Sequence, residues 1–330
     1  MAYLLKPLQT RKLTLHNRLV MAPMATSKSE KDGKISKDIL DYYDEKSIGG
    51  YISLIIVEHS FITQQGKASD GQLSIADNGL VKDLKELSNT IHKNGSKAVM
   101  QINHSGSASS KAVTGYESVG PSAIANPRIG SIPKELTKNE IKIIVDEFKD
   151  AALRVKDAGF DGVEIHSAHG YLLNQFFSPL TNKRSDEYGG DVLSRIRIHL
   201  EVIKTVRDAV GEDFPILLRL GASDYCDGGS TIEDSKIAVS EFEKAGVDIL
   251  DISGGFCGYM VAGLDGQGYF SLLTEAIKQV VSIPVILTGG ITDACAAEKL
   301  LSENKADLIG VGRAIYKDSM WAENAIKSLK

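Results

Sequence analysis

Short apolar segments and amphipathic segments alternate along the whole chain of 330 residues. The apolar segments are rich in β-branched residues, and most of them lack the polar alternate positions of a half-exposed strand. Continuous apolar runs of this kind are typical of parallel strands that are buried on both faces. The pattern predicts eight such strands, at residues 18–24, 51–59, 97–104, 162–169, 215–223, 248–255, 284–290 and 308–314.

A helical pattern follows each predicted strand and is clearest over residues 138–157. The apolar positions of this segment recur at intervals of three and four, as expected of a helix with one buried face. Thr137 and Glu140 have the spacing of a capping box, and Gly159 favours an end to the helix. The pattern therefore predicts a helix over 138–157 that packs against the strands.

Eight strands that each precede a helix, with no break in composition, predict an α/β fold with one (β/α)8 (TIM) barrel domain over residues 1–330. A doubly wound open sheet is the rival fold, but it would place a glycine-rich turn after the first strand, where this chain has Pro23. Residues 1–16 have room for a short hairpin that closes the bottom of the barrel. Long loops are expected after strands 3 and 4, at 105–136 and 170–193, and their aromatic and proline residues predict ordered structure.

The composition narrows the class of protein and its location. The net charge is −5, and the basic residues are interspersed with acidic ones, so no nucleic-acid-binding face is expected. No signal peptide and no membrane-spanning run is recognisable. The three cysteines are widely separated, which argues against a metal cluster or a disulfide scaffold. We expect a cytoplasmic protein that acts on a small molecule and contacts neither nucleic acid nor membrane.

Polar residues cluster where the predicted strands end, and in a barrel of this class the working residues lie at those ends. The two last strands end in glycines, Gly289-Gly290 and Gly312, and Arg313 follows the latter. Glycines let backbone N–H groups approach an anion closely, and the arginine can add a charge-assisted contact. The pattern predicts a phosphate site, with tight turns as the alternative explanation of the glycines.

The fourth strand ends in the segment IHSAHGY, which places His166, His169 and Tyr171 close together. Three interpretations stay open from the residues alone: a metal site, a satisfied structural pair, or two donors that hold and polarise a substrate oxygen. Under the third interpretation Tyr171 is a proton donor, because a phenol is protonated at neutral pH. The metal interpretation would need further ligands at a suitable spacing.

Gln101 and Arg219 end the third and fifth strands. A buried arginine in a barrel mouth needs an anionic or electron-rich partner, and a glutamine offers both a donor and an acceptor. A flat heterocycle with carbonyl and N–H groups would satisfy both, so FMN with its phosphate arm fits the set. The alternative for Arg219 is an internal ion pair with Glu164 or Asp251.

The chain resembles the Old Yellow Enzyme family of FMN-dependent ene-reductases, also called the NADH:flavin oxidoreductase/NADH oxidase family. The resemblance covers nearly the whole chain and is strongest in AGFDGVEIHSAHGYLLNQFFSPLTNKRSDEYGG, residues 158–190. Supporting matches are NRLVMAPM (17–24), LIIVE (54–58), GSKAVMQINHSG (95–106), GPSAI (120–124), RLGASDY (219–225) and LIGVGR (308–313).

The resemblance implies an oxidoreductase in which NADH or NADPH reduces FMN, and flavin N5 passes hydride to the β-carbon of an activated alkene such as an enone. It also implies that His166 and His169 bind the substrate carbonyl oxygen, and that Tyr171 gives a proton to the α-carbon. Tyr259 is predicted as a further substrate contact. The residues that the resemblance and the strand ends predict for cofactor binding are Pro23, Met24, Ala25, His59, Gln101, Arg219, Ser253, Gly254, Gly289, Gly290, Gly312 and Arg313.

Three positions depart from the family pattern. Ala25 stands where many members have a threonine or cysteine that tunes the flavin, His59 stands where many have a small residue, and Ser107 replaces the arginine of an HxGR motif. In the SDEYGG segment, Arg184, Asp186 and Tyr188 are expected to brace the loop rather than to react.

Several alternatives to alkene reduction stay open. The nearest are an NAD(P)H oxidase or quinone reductase, and a flavin-binding barrel with a sensing role and little turnover. A flavin-dependent tRNA-modifying barrel would call for a basic surface and a catalytic cysteine, and a metal-dependent aldolase would call for a ligand set. The sequence does not decide between NADH and NADPH, or between a monomer and a homo-oligomer, and it does not name the alkene.

Overall fold

Eight parallel strands close into a barrel in the computed structural model, which describes residues 1–330. The last strand pairs with the first, with Ile309 opposite Leu19. All eight predicted strands are present, and each is shorter than its predicted segment. Most predictions included part of the turn that follows, whereas the second strand ends at Phe61, two residues beyond its predicted end. The strands are β1 Leu19–Met21, β2 Leu54–Phe61, β3 Lys97–Asn103, β4 Gly162–Ser167, β5 Ile216–Gly221, β6 Ile249–Ser253, β7 Val285–Thr288 and β8 Leu308–Val311.

A helix follows every strand and covers the outside of the barrel. The helices are α1 Lys37–Ser47, α2 Val81–His92, α3 Lys138–Asp157, α4 Arg197–Val210, α5 Ile232–Ala245, α6 Ser271–Lys278, α7 Ala294–Ser302 and α8 Trp321–Ser328. Helix α3 has the predicted bounds and the predicted capping box of Thr137 and Glu140. The predicted (β/α)8 barrel is therefore confirmed, and the doubly wound sheet is not formed.

The long loops after β3 and β4 carry short elements, as their aromatic and proline residues predicted. The short helices of the fold are Lys111–Thr114, Leu172–Phe177, Val192–Arg195 and Arg313–Lys317. The 3-10 turns are Tyr3–Leu5, Ile48–Gly50, Gln64–Gly66, Asn78–Leu80 and Gly106–Ala108. In the loop after β3, Val119–Gly120 also pairs in parallel with Lys134–Glu135.

The bottom of the barrel is closed by the N-terminal hairpin that the sequence predicted. Its strands Leu8–Gln9 and Thr14–Leu15 pair in antiparallel fashion. Leu13 and Leu15 join one apolar cluster with residues that point inward from the barrel strands, namely Val20, Leu54, Ile56, Val99, Leu217, Ile249, Ile286 and Leu308. Burial of this layer is the hydrophobic stabilisation that holds the barrel interior together.

The apolar layer determines where the polar layer lies. Inward-facing positions recur every second residue along a strand. Two residues beyond the apolar layer, the same strands present Gln101, Arg219, Asp251 and Thr288. The carboxyl ends of the strands therefore form a polar floor directly above the apolar layer.

No helix of the structure combines the length and the apolarity needed to span a bilayer.

Candidate active site

A cavity of about 300 Å³ opens above the polar floor, at the carboxyl ends of the strands. Pockets that bind small molecules commonly start at about this volume. The cavity brings together nearly all predicted site residues. Those in its wall are Pro23, Met24, Ala25, His59, Gln101, His166, His169, Tyr171, Arg219, Ser253, Tyr259, Gly289, Gly290, Gly312 and Arg313.

Gly254 is the one predicted site residue that does not reach the cavity wall. Its carbonyl accepts the N–H of His169 at 3.2 Å. A Cβ atom at this position would lie 2.1 Å from the carbonyl oxygen of Gly258 and 2.5 Å from Cys257 Sγ. Gly254 therefore permits the tight turn of residues 254–258 that follows β6, and this steric role is a different one from the predicted cofactor contact.

His166, His169 and Tyr171 form one cluster of rings. The ring centroid of His166 lies 5.1 Å from that of His169 and 5.2 Å from that of Tyr171, both in edge-to-face arrangements. The Tyr171 hydroxyl has no hydrogen-bond partner within the protein. His166 Nδ1 is buried and also lacks a partner. The cluster therefore presents polar atoms that the protein itself does not satisfy.

The backbone turn at His169 aims its ring. His169 adopts a φ of 59°, in the left-handed region that a non-glycine residue rarely occupies. Its Nε2 atom lies 2.8 Å from the Ser253 hydroxyl. Its carbonyl accepts a hydrogen bond of 2.7 Å from Arg128 Nη1. These contacts hold the imidazole in a strained turn, as is common at functional sites.

Burial keeps the cluster uncharged near neutral pH. It lowers the pKa of both His166 and His169 well below the usual value, and neighbouring charges, Arg219 among them, lower each pKa further. Burial also raises the pKa of Tyr171. The two imidazoles are therefore neutral and the phenol is protonated, so all three can act as hydrogen-bond donors at pH 7.

Gln175 braces this turn and was not predicted from the sequence. Its Nε2 atom donates to the carbonyls of Gly170 at 2.7 Å and Ser105 at 3.0 Å. Its Oε1 atom accepts the N–H of Ser107 at 3.0 Å. The side chain thus ties the turn after β4 to the loop after β3. No sequence pattern indicated this bracing role, because nothing distinguishes Gln175 from other buried polar residues of a short helix.

A β-bulge in β2 decides which side chain faces the cavity. Val57 pairs with Met100, whereas Ser60 pairs with Ile102, so β2 contains one more residue than β3 at this point. An extra residue reverses the alternation of a strand and re-aims its side chains. Glu58 consequently points away from the barrel interior, where its backbone N–H donates to Tyr43 of α1, and His59 points into the cavity.

Glu58 Oε2 accepts a hydrogen bond of 2.6 Å from the Thr26 hydroxyl. Burial raises the pKa of this carboxyl to about 7, and the hydrogen bond from Thr26 opposes that shift. Thr26 thus turns its hydroxyl away from the cavity and does not take over the flavin contact that Ala25 lacks. The buried Glu58 carboxyl instead anchors residues 23–26 on the side that faces away from the cavity.

His59 has a defined tautomer. Gln72 Oε1 accepts the N–H of Ala68 at 2.6 Å, so the amide NH₂ of Gln72 faces His59 Nδ1, 2.9 Å away. Burial lowers the pKa of His59 to about 4, so the ring is neutral and its proton lies on Nε2. The ring stacks on Tyr171 with centroids 5.3 Å apart. The cavity therefore contains a third neutral histidine with a donor available.

Arg219 and Gln101 form the polar floor. Arg219 Nε lies 3.3 Å from Asp251 Oδ2 without hydrogen-bond geometry, so the predicted alternative of an internal ion pair is realised with Asp251 and not with Glu164. The guanidinium is 4% exposed and none of its N–H groups has a hydrogen-bond acceptor in the protein. Gln101 donates to Glu164 at 2.6 Å. Burial, followed by the charge of Asp251, raises the pKa of Glu164 to about 8.

The glycines after β7 and β8 line the opposite end of the cavity. The N–H groups of Gly290 and Gly312 donate to no backbone carbonyl. A Cβ atom at Gly290 would lie 2.5 Å from Tyr269 Cε1, and one at Gly312 would lie 2.7 Å from Met24 Sδ. Arg313 is held by hydrogen bonds to the Tyr269 hydroxyl at 3.2 Å and to Met260 Sδ. Free backbone donors beside an unpaired guanidinium suit a phosphate.

The helix that follows β7 has a capped N-terminus. Helix α7 begins only at Ala294, and the Asp293 side chain already accepts the N–H of Ala296 at its N-terminus. After β7, the donors available to an anion are therefore those of the glycine loop, whereas after β8 the short helix Arg313–Lys317 begins directly behind Gly312.

Seven residues of the cavity wall were not among the predicted site residues. They are Ala22, Arg128, Tyr269, Thr288, Ile291, Thr292 and Gly310. Ala22, Thr288 and Gly310 each lie two residues beyond an apolar inward position, so strict strand alternation would have identified them. Arg128 lies in the loop after β3, where no periodicity indicates which side chains turn inward.

No group of three or more His, Cys, Asp or Glu side chains has the geometry to hold a metal ion.

The SDEYGG segment lies outside the cavity wall. In it, Arg184 pairs with Asp186 through contacts of 2.9 and 2.6 Å, and the Tyr188 hydroxyl contacts Glu201. The predicted bracing ion pair of that loop is therefore present.

Comparison with known proteins identifies the family. A sequence model of the NADH:flavin oxidoreductase / NADH oxidase family matches residues 3–330. The chain belongs to this family. An NADH oxidase of Thermoanaerobacter brockii is 42% identical over 95% of this chain, which spans only 49% of that protein. An NADPH dehydrogenase of Clostridium acetobutylicum is 41% identical over 93% of this chain and 90% of its own length.

A solved structure supports the same conclusion. The Old Yellow Enzyme homologue from Zymomonas mobilis superposes with a TM-score of 0.87 at 26% identity, over 99% of this chain and 93% of that one. The predicted resemblance to the Old Yellow Enzyme family is therefore confirmed. The protein is an FMN-dependent oxidoreductase with NADH or NADPH as co-substrate.

The residues present fit FMN. The unsatisfied guanidinium of Arg219 and the amide of Gln101 suit the polar edge of a flavin ring, and the free N–H groups of Gly290 and Gly312 with Arg313 suit its phosphate. The histidine–tyrosine cluster lies in the same cavity. This donor set decides in favour of a flavin site and against the metal-dependent aldolase that the sequence left open.

Proposed function

We propose that the protein reduces the activated C=C bond of enone-type substrates at the expense of NADH or NADPH. The observation that carries the proposal is the cluster of His166, His169 and Tyr171, with neutral imidazoles and an unpartnered phenol in the wall of the flavin cavity. When bound, FMN supplies the hydride that N5 delivers to the β-carbon of the alkene.

The two histidines would bind the carbonyl oxygen of the enone. The Ser253 hydroxyl contacts His169 Nε2, so the hydroxyl can donate there and leave the ring proton on Nδ1 for the substrate. Hydrogen bonds to the oxygen draw electron density from the β-carbon and stabilise the enolate-like charge that develops. Because both rings are already oriented by the protein, little reorganisation is needed when that charge appears.

Tyr171 would complete the reaction as the acid. Its raised pKa keeps the phenol protonated throughout the neutral range, and its hydroxyl is not committed to any protein acceptor. It can therefore give its proton to the α-carbon. Gln101 and Arg219 orient the cofactor, and Pro23, Met24 and Ala25 contribute the wall beside it.

The proposal is tested by separating the two half-reactions of the FMN-loaded protein without oxygen. Tyr171→Phe should slow the oxidation of the reduced enzyme by 2-cyclohexenone about 10²- to 10⁴-fold, the range for loss of a general acid. Flavin reduction by NADPH should change less than about twofold. Tyr116→Phe is the matched control, because Tyr116 is exposed and outside the cavity wall. Equal losses in both half-reactions would remove the proton-donor role.

The histidine pair is tested by binding of a para-substituted phenol. A phenolate held over the flavin gives a broad long-wavelength absorption band, which should be lost in the double variant His166→Ala/His169→Ala while the yellow flavin spectrum stays. Rapid consumption of oxygen with no enone turnover in the unaltered protein would favour an NAD(P)H oxidase instead. Slow turnover with every acceptor would favour a sensing role.

A further inference from the structure

The cavity wall carries a positive charge that the cofactor does not account for. Three arginines line the cavity, Arg128, Arg219 and Arg313, and none of the lining residues is Asp or Glu. This contrasts with the net charge of −5 of the whole chain. The flavin ring and its phosphate suit Arg219 and Arg313. Arg128 is left without an assigned partner.

Arg128 lies beside the proposed substrate oxygen site. Its Nη1 atom donates to the carbonyl of His169 at 2.7 Å, and a Cβ atom at Gly258 would lie 3.5 Å from its Nη2 atom. No carboxylate lies within ion-pairing distance of this guanidinium. A guanidinium has five donors, and the contact with His169 uses one of them.

The loop that carries Arg128 is anchored. Asn126 is buried, its Oδ1 atom accepts the N–H of Arg128 at 2.9 Å, and its Nδ2 atom donates to the Ser107 hydroxyl at 2.8 Å. The carbonyl of Asn126 accepts the N–H of Gly130 at 2.8 Å. The arginine therefore extends from a fixed turn, and Ser107, which departs from the family pattern, is part of that anchor.

The contact with the His169 carbonyl does not explain why the side chain of Arg128 carries a positive charge. One neutral donor would be enough to hold a backbone carbonyl. A full positive charge in the wall of a concave site instead raises the local concentration of anions. The planar array of donors of arginine also matches a carboxylate better than an ammonium group does.

We propose that Arg128 binds a carboxylate of the substrate, so that the protein favours α,β-unsaturated carbonyl compounds that carry an acidic group. This inference rests on the proposed function. The reaction itself is unchanged: one hydride adds to the β-carbon, one proton adds to the α-carbon, NAD(P)H becomes NAD(P)⁺, and the carboxylate remains intact.

A matched pair of substrates tests the inference, namely 4-oxopent-2-enoate and its methyl ester, which contain the same alkene. The quantity measured is the ratio of kcat/KM for the acid to kcat/KM for the ester. Arg128→Gln should lower this ratio about tenfold, through loss of a charge-assisted contact that solvent partly screens. Arg128→Lys should retain part of the ratio, and the ratio for the unaltered protein should fall as salt is added.

Lys111→Gln is the matched control. It removes one positive charge from the same loop at an exposed position outside the cavity wall, so its ratio should stay within about twofold of the unaltered protein. A ratio that is unchanged in Arg128→Gln overturns the inference. So does an equal fall in Lys111→Gln, because the effect would then be one of net charge.

Two further measurements distinguish a substrate-carboxylate site at Arg128 from a dinucleotide-phosphate site and from failure of the proposed function. If Arg128→Gln alters the preference for NADPH over NADH during flavin reduction, and leaves the acid-to-ester ratio unchanged, the arginine serves a phosphate of the dinucleotide and the inference fails. If neither alkene is turned over by the unaltered protein, the proposed function fails. Titration with 4-hydroxybenzoate against 4-methylphenol then decides on Arg128: a preference for the carboxylate that Arg128→Gln removes supports the anion site, and equal affinities overturn it.

Discussion

At the scale of single residues, the site depends on which atoms carry protons. His59, His166 and His169 share one cavity, and burial holds all three rings neutral. A neutral imidazole has one donor and one acceptor, so the contact on one nitrogen determines what the other offers. For His59 that contact is the amide of Gln72, which leaves Nε2–H as the donor.

His59 should raise the reduction potential of the flavin, because a donor in the cavity stabilises the negative charge of the reduced cofactor. Replacing it in His59→Ala removes one hydrogen bond of about 0.5–1.5 kcal/mol. For a two-electron couple this corresponds to a potential lower by about 10–30 mV. A dye-coupled redox titration of the FMN-loaded protein measures the shift.

His199→Gln is the control for that titration. His199 is a buried histidine outside the cavity wall, with its Nε2 atom 2.8 Å from the Ser167 hydroxyl. Its replacement should leave the flavin potential unchanged. A potential that is the same in His59→Ala as in the unaltered protein would show that His59 does not contact the charged part of the flavin.

At the scale of elements, the strands could be predicted from the sequence and the bulge could not. Continuous apolar runs such as LIIV in β2 have few alternative structures in an α/β chain. The extra residue between Val57 and Ser60 is set by pairing with β3, which no local pattern reports. The position of Glu58 and His59 at a strand end indicated both as candidate site residues, but no sequence pattern showed that His59 would face the cavity while Glu58 turned toward Tyr43.

Loops show the same limit for the site. The glycines after β7 and β8 were predicted because glycines that follow the last two strands of a barrel let backbone N–H groups approach an anion. Arg128 could not be predicted, because it reaches the cavity through a contact with the carbonyl of His169, which is 41 residues away in sequence. Gly254 was predicted from its place at a strand end, yet its Cα faces residues 257 and 258 of its own turn and it does not line the cavity.

The glycine loop after β7 should be sensitive to a single methyl group. Gly290 has a φ of 67°, and an added Cβ atom would lie 2.5 Å from the Tyr269 ring. Since Tyr269 also holds Arg313, Gly290→Ala should displace both the loop and the guanidinium, and weaken FMN binding at least about tenfold, or 1.4 kcal/mol. Quenching of flavin fluorescence on binding to the apoprotein measures the dissociation constant.

Gly115→Ala separates backbone strain from the site effect. Gly115 has a φ of 81° and nothing within 4 Å of an added Cβ atom. It should therefore show the same kind of strain, about 1–2 kcal/mol, and normal FMN affinity. Equal FMN affinities for the two variants would argue that the glycine loop does not hold the phosphate.

At the scale of the whole molecule, buried histidines make the fold sensitive to acid. Five histidines have lowered pKa values, with burial as the main cause: His59, His104, His166, His169 and His199. Below about pH 6.5 the unfolded chain protonates these rings and the folded protein does not, so stability falls as the pH falls. Three buried carboxyls with raised pKa values, Glu58, Glu164 and Asp251, oppose this trend.

More histidines than carboxyls are shifted, so at the acid end of this range unfolding takes up protons, and the unfolding free energy falls as the pH falls. Burial lowers the pKa of His199 to about 3, so its contribution to this proton uptake grows toward one proton as the pH falls. Thermal melts at saturating FMN should show a midpoint that falls with pH, and less steeply in His199→Gln. Parallel pH profiles for the two proteins would contradict this account.

The barrel seam has a consequence for how the protein is made in the cell. Residues 23–25 belong to the first strand end and Gly312-Arg313 to the last, and 288 residues separate Ala25 from Arg313. At about 5–20 residues per second, a ribosome needs roughly 15–60 s to travel from one to the other. The nascent chain has no complete flavin site during that time, so FMN can fill the whole site only after the last strand has been made. Cofactor loading is then an event in the life of the finished protein.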